Sequence, residues 1–171
     1  NKKNIRDCLC SQNRENEFTL LQGEVYGLRI EEAEPCEGML ENLKMMQEAG
    51  VNMVLISHKT KTPYMGPAYN LHTAAIAWLT KNEFFTARGL NWSKKQLYFE
   101  ISKEEKIKRI ASLGCTHYID DLPEILDQLP GSITKILYDP KQSYEKSTEY
   151  KLMSSWEDLR MILNGNRYEE A

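Results

Sequence analysis

Tyr118-Ile119-Asp120-Asp121-Leu122-Pro123-Glu124 is the stretch on which the reading of this chain turns. A short strand-like run, residues 116–119, stops at two adjacent carboxylates, and Pro123 opens a helix-compatible segment directly after them. Read as a buried strand, that run delivers Asp120 and Asp121 to its carboxyl end, the edge at which open α/β sheets bind ligands. Neighbouring carboxylates repel each other, and a cation, a donor set or a shared proton relieves them. Mg²⁺, a hard ion that prefers oxygen, is the general answer. A second reading makes Asp121 the N-cap of the next helix, with Glu124 completing a capping box and Pro123 in the first turn.

Working outward, helical and strand patterns alternate from Pro35 to Leu163. Met39, Leu40, Leu43 and Met46 recur at helical spacing before Gly50, and residues 51–56 form an apolar run that ends in Ser57-His58-Lys59-Thr60. Residues 61–70, with Pro63, Gly66, Pro67 and two tyrosines, read as a loop. Leu71, Ala74, Ala75, Trp78 and Leu79 make a helical stripe that belongs in a core. Residues 96–100 alternate as a short strand. Ser102 then caps a helix, with Glu105 at the capping-box position. Residues 133–138 and 151–153 predict two further strands, and 155–163 a last helix. Residues 1–34 are the hardest to read: a polar opening, then an apolar series from Phe18 to Ile30 that leans towards helix despite Gly23 and Gly27. The alternation predicts an α/β fold of three layers on a largely parallel sheet. Right-handed crossovers then put Ser57 and Asp120/Asp121 on one rim.

Composition narrows the functional classes. The 171 residues carry a net charge of -3 with both signs dispersed, so nothing marks a nucleic-acid footprint. Uninterrupted apolar runs such as 53–56 and 74–79 are far too short to span a bilayer, and no secretory signal is visible, so a membrane partner is not expected. Cys8, Cys10, Cys36 and Cys115 lack the paired C-x-x-C spacing of a zinc site, and His58, His72 and His117 lack ligand spacing. Free thiols in a reducing compartment follow, which points to the cytoplasm.

A serine after one strand, a lysine on a helix and paired carboxylates after a later strand suit phosphoryl chemistry. A phosphate ester must approach carboxylates, and Mg²⁺, a lysine and a hydroxyl offset that repulsion. Lys106 is the lysine chosen for this role, with Lys103 and Lys59 as competitors that spacing does not exclude. The candidate set is therefore Ser57 and Lys106 as catalytic groups, Asp121 with Asp120 as metal ligands, and His58, Lys59 and Tyr64 for the remainder of a small phosphorylated substrate.

In order and spacing, 54–57, Lys106 and 118–121 resemble the second, third and fourth motifs of the haloacid dehalogenase superfamily. The strings Gln22-Gly23-Glu24-Val25-Tyr26-Gly27, Ser57-His58-Lys59-Thr60 and Phe99-Glu100 are similar to a bacterial subgroup of small proteins in it. The resemblance covers roughly 35–163. It implies a Rossmann-like core over 35–163, a helical cap segment over 1–34 and a tail over 164–171. It also implies Mg²⁺-dependent hydrolysis of a phosphomonoester through an aspartyl-phosphate.

One motif departs from the family. Its first, D-x-D on the central strand, supplies the nucleophile, and no D-x-D occurs among the 171 residues. The chain starts at Asn1 rather than Met, and the reading places the motif upstream. The alternative is a degenerate relative that binds without hydrolysing. In the family the first strand lies between 51–56 and 116–119. Without it, two strand edges are left with unpaired backbone groups, each costing about 1–3 kcal/mol when buried.

Overall fold

The structure is a computed structural model, and it describes residues 2–145 and 148–164. In chain order the elements are α1 (Lys2–Ser11), α2 (Glu15–Gly23), α3 (Met39–Glu48), β1 (Leu55–His58), α4 (Leu71–Lys81) and β2 (Leu97–Glu100). Then follow α5 (Lys103–Ser112), β3 (His117–Asp120), α6 (Pro123–Leu126), β4 (Thr134–Tyr138), β5 (Lys151–Met153) and α7 (Asp158–Asn164). The fold is α/β, and every strand pair among the described residues is parallel. Residues 165–171 of the expected tail lie outside the described residues.

The chain divides into two compact units. The first joins residues 1–34 to residues 59–92, so the expected cap segment is grouped with the loop at 61–70 and α4. The lean towards helix in the apolar series is met by α2, a π-helical turn at Glu24–Leu28 and a 3₁₀ turn at Ile30–Glu32. Gly27 lies in that π turn because the 61–70 segment crosses it closely. A Cβ at Gly27 would come 2.5 Å from the Tyr69 Cβ. Two long-range hydrogen bonds tie α4 to the end of this segment. Trp78 Nε1 donates to the Ala33 carbonyl at 2.7 Å, and Lys81 Nζ to the Glu31 carbonyl at 2.7 Å.

The second unit, residues 35–58 and 93–171, carries all five strands found among the described residues. They form two sheets, β1-β2 and β3-β4-β5. Successive residues of β4 point to opposite faces. Leu137 packs with Ile56, Ile110, Leu126, Leu129 and Ile133. Ile136 packs instead with Met46, Met153 and Leu159. Thus α5 and α6 contribute to one apolar cluster, and α3 and α7 to the other.

Several boundaries differ from the sequence reading. The first strand is Leu55–His58 rather than 51–56, and Val51 and Val54 are exposed. Among the described residues β1 has a ladder partner only in β2, and its ladder starts at Leu55. Asp120 is the last residue of β3 rather than the first beyond it. Asp121 does not cap α6: Leu122 holds the N-cap position with no side-chain cap. The capping box at α5 is modified. Ser102 Oγ accepts from Glu105 N at 3.1 Å, but the Glu105 carboxylate takes the Ile101 N–H instead of that of Ser102.

Candidate active site

The order of elements fixes which strand ends meet. Two residues separate β2 from α5, so the first turn of α5 stands by the carboxyl end of that strand. Lys106 lies one turn into α5, and its ammonium meets Asp120 at the carboxyl end of β3. β1 runs parallel to β2. The carboxyl ends of β1, β2 and β3, with Ser57 and Asp120 upon them, therefore share one edge.

The Lys106 Nζ to Asp120 Oδ2 distance is 2.5 Å, and the two side chains are 10% and 6% exposed. The second oxygen of Asp120 accepts from the Leu122 N–H at 3.1 Å. Burial raises the Asp120 carboxyl above its ordinary range, while the Lys106 charge and the Leu122 N–H act in the other direction. A buried pair of this kind gains little net stability over apolar side chains of similar size. Perturbed buried pairs of this kind cluster at functional sites.

Comparison with known proteins adds one relative. Over 124 residues the chain is 27% identical to a protein of Oceanobacillus iheyensis named "Putative nucleotidase", covering 71% of this chain and 57% of that protein. The chain thus spans little more than half the length of that relative. No protein-family model matches the chain, and no solved structure matches it.

The structure also sorts the competing lysines. Lys103 pairs with Glu124 at 2.6 Å on the exterior, with side chains 45% and 57% exposed. Glu124, read as a capping-box member, is thereby engaged elsewhere. Lys59 lies in the first unit, its ammonium 4.9 Å from the Tyr26 ring centroid, and its carbonyl accepts from His72 Nε2 at 2.8 Å. Tyr64 belongs to that unit too and is 77% exposed. Ser57 is half-buried on β1, in register with Phe99, and His58 is exposed at the strand's last position. Asp121 is exposed directly after β3.

Periodicity marks Tyr118 only as a strand residue. Its hydroxyl donates to the Ile56 carbonyl at 2.9 Å, which links β3 to β1, and its ring lies 5.5 Å from the Lys106 ammonium. The period-2 alternation of a strand was the available signal, because residues 118 and 120 must share a face.

Among the described residues no group of three or more His, Cys, Asp or Glu side chains is placed to hold a metal ion. Mg²⁺ needs less than that. It commonly keeps several waters and takes one or two carboxylates together with substrate phosphate. An exposed Asp121 beside an anchored Asp120 fits such a donor set. The four cysteines are free thiols. No helix among the described residues is long and apolar enough to cross a membrane.

Proposed function

We propose that this protein is a Mg²⁺-dependent phosphohydrolase of the haloacid dehalogenase type, acting on a small phosphomonoester. The observation that carries the reading is the buried Lys106–Asp120 pair at the strand edge that also bears Ser57. The two apolar clusters on opposite sides of β4 support the three-layer arrangement of that family. The relative's name adds support for phosphate-ester hydrolysis and puts nucleotides first among the substrates to test.

In this reading the nucleophile is an aspartate on a strand that precedes Asn1 in the chain and lies between β1 and β3. Its carboxylate attacks phosphorus as the ester P–O bond breaks, and the leaving oxygen takes a proton from solvent water. Water then attacks the phosphorus of the aspartyl-phosphate, releasing phosphate and restoring the carboxylate. The Ser57 hydroxyl donates to one phosphoryl oxygen. The Lys106 ammonium, held by Asp120, balances the negative charge of nucleophile and phosphate. Asp121 would hold Mg²⁺, with Asp120 beside it as co-ligand or as the group that orients Lys106. The ion, when bound, screens phosphate charge as a Lewis acid.

The product of the complete gene, assayed on nucleoside monophosphates and sugar phosphates with and without Mg²⁺, tests this. Mg²⁺-dependent turnover that is abolished by Asp121→Asn, with the fold intact, is the expected result; unchanged turnover in that variant removes the metal role. His58, Lys59 and Tyr64 are leaving-group contacts in this reading, and unchanged substrate preference on substitution removes each in turn. The missing D-x-D favours a second reading, a degenerate module that binds phosphate esters without hydrolysing them. Binding without turnover by the complete protein selects it.

A further inference from the structure

Tyr118 touches two parts of the site at once. Its hydroxyl donates to the Ile56 carbonyl at 2.9 Å, and its ring faces the Lys106 ammonium at 5.5 Å. The Ile56 carbonyl and the Ser57 nitrogen belong to one planar peptide, so anchoring that oxygen fixes the plane from which Ser57 is built. The hydroxyl also crosses from one sheet to the other, because Ile56 is on β1 and Tyr118 on β3. With the Lys106–Asp120 pair and shared apolar packing, this bond ties the strand that carries Ser57 to the strand that carries Asp120. The ring face, in turn, limits where the ammonium can sit while it is paired with Asp120.

We infer that Tyr118 is a positioning residue that holds Ser57 and Lys106 in register across the two sheets. The inference rests on the phosphohydrolase reading above. The role requires both halves of the side chain: the oxygen for Ser57, the ring for Lys106.

The test separates those halves. Inorganic phosphate with MgCl₂ is titrated into the wild type, Tyr118→Phe, Ser57→Ala and the double variant. Lys106 is followed by NMR, its resonances assigned by their loss in Lys106→Met. Tyr118→Phe should weaken phosphate binding about three- to tenfold, the affinity equivalent of one neutral hydrogen bond. The loss should be absent when Ser57 is already alanine, because hydroxyl and serine act as one unit. The upfield ring shift on the Lys106 side chain should survive in Tyr118→Phe and vanish in Tyr118→Leu. Binding unchanged in Tyr118→Phe, losses that simply add with Ser57→Ala, or a Lys106 signal indifferent to the ring each overturn the positioning role and leave the phosphohydrolase reading intact. Should Ser57→Ala itself leave phosphate binding unchanged, the Ser57 assignment falls and the positioning role falls with it.

Discussion

Replacing Lys106 with Met removes the ammonium while keeping most of the buried stem. Asp120, only 6% exposed at its side chain, is then left with a single described partner, the Leu122 N–H at 3.1 Å. Deleting one member of a buried pair costs about 3–5 kcal/mol, because the other charge stays desolvated or must take up a proton. That is a factor of roughly one hundred to a few thousand in the unfolding equilibrium. Asp120→Asn should lose a comparable amount by stranding the ammonium. The double variant Lys106→Met/Asp120→Leu should recover most of it, since apolar replacement of both partners is commonly neutral or stabilising. Urea unfolding, with hydrogen exchange at the β3 and β4 amides, reads the second unit directly. A single-variant loss below about 1 kcal/mol, the level of an exposed pair, would refute the reasoning. So would a double variant whose loss equals the sum of the two singles. If the double variant is as stable as the wild type, folding does not explain why the charges are there.

Three further outcomes follow from the geometry. Asp158 Oδ2 accepts from Ser154 N and Ser154 Oγ, each at 2.8 Å, and from Ser155 N at 3.0 Å, which holds its carboxyl below the ordinary value. A depressed folded-state value means stability that is present above about 3.8 and lost as the pH falls through the lowered value. Acid titration of unfolding should therefore show the wild type losing more than Asp158→Asn, and parallel curves count against the clamp. Gly27→Ala should cost about 1–3 kcal/mol by overpacking against Tyr69, seen as a lower Tm that Tyr69→Ala partly restores; an unchanged Tm in the single variant refutes the close crossing. Lys103→Ala should cost under about 1 kcal/mol because both partners are well exposed, and a larger loss in urea unfolding would show coupling to the Lys106 site.

Much of the second unit was legible because its signals are local. The helical spacing before Gly50, the Ser102 cap and the strand ahead of Asp120 all depend on residues within one or two turns of each other. Asp120 itself could not be assigned that way. Neighbouring carboxylates on a strand–turn–helix junction look alike whether they cap, bind metal or pair. The outcome was set by Lys106, fourteen residues earlier on α5. Tyr118 was equally hidden, since its partner carbonyl lies 62 residues away on β1. The strand boundary at 51–56 failed for a related reason. An apolar run states that it can pair but not how many neighbours it will find, and among the described residues β1 has a ladder with β2 only. The grouping of 59–92 with 1–34 rests on contacts such as Gly27 against Tyr69, which hydrophobic periodicity does not encode.

The separation of the two sheets bears most directly on mechanism. β1 and β3 lie in one compact unit, share the Ile56 cluster and point their carboxyl ends to the same edge, yet no ladder joins them. A tyrosine hydroxyl makes the connection that backbone N–H groups make elsewhere in the sheets. Strand edges with unpaired groups are strong templates for a further strand. A strand entering in parallel between β1 and β3 would bring its own carboxyl end to the edge already occupied by Ser57, Lys106 and Asp120. A carboxylate placed there would meet an ammonium whose position is fixed from two sides, by Asp120 and by the Tyr118 ring. In the phosphohydrolase reading proposed above, the gap between β1 and β3 is where the strand bearing the nucleophile would enter.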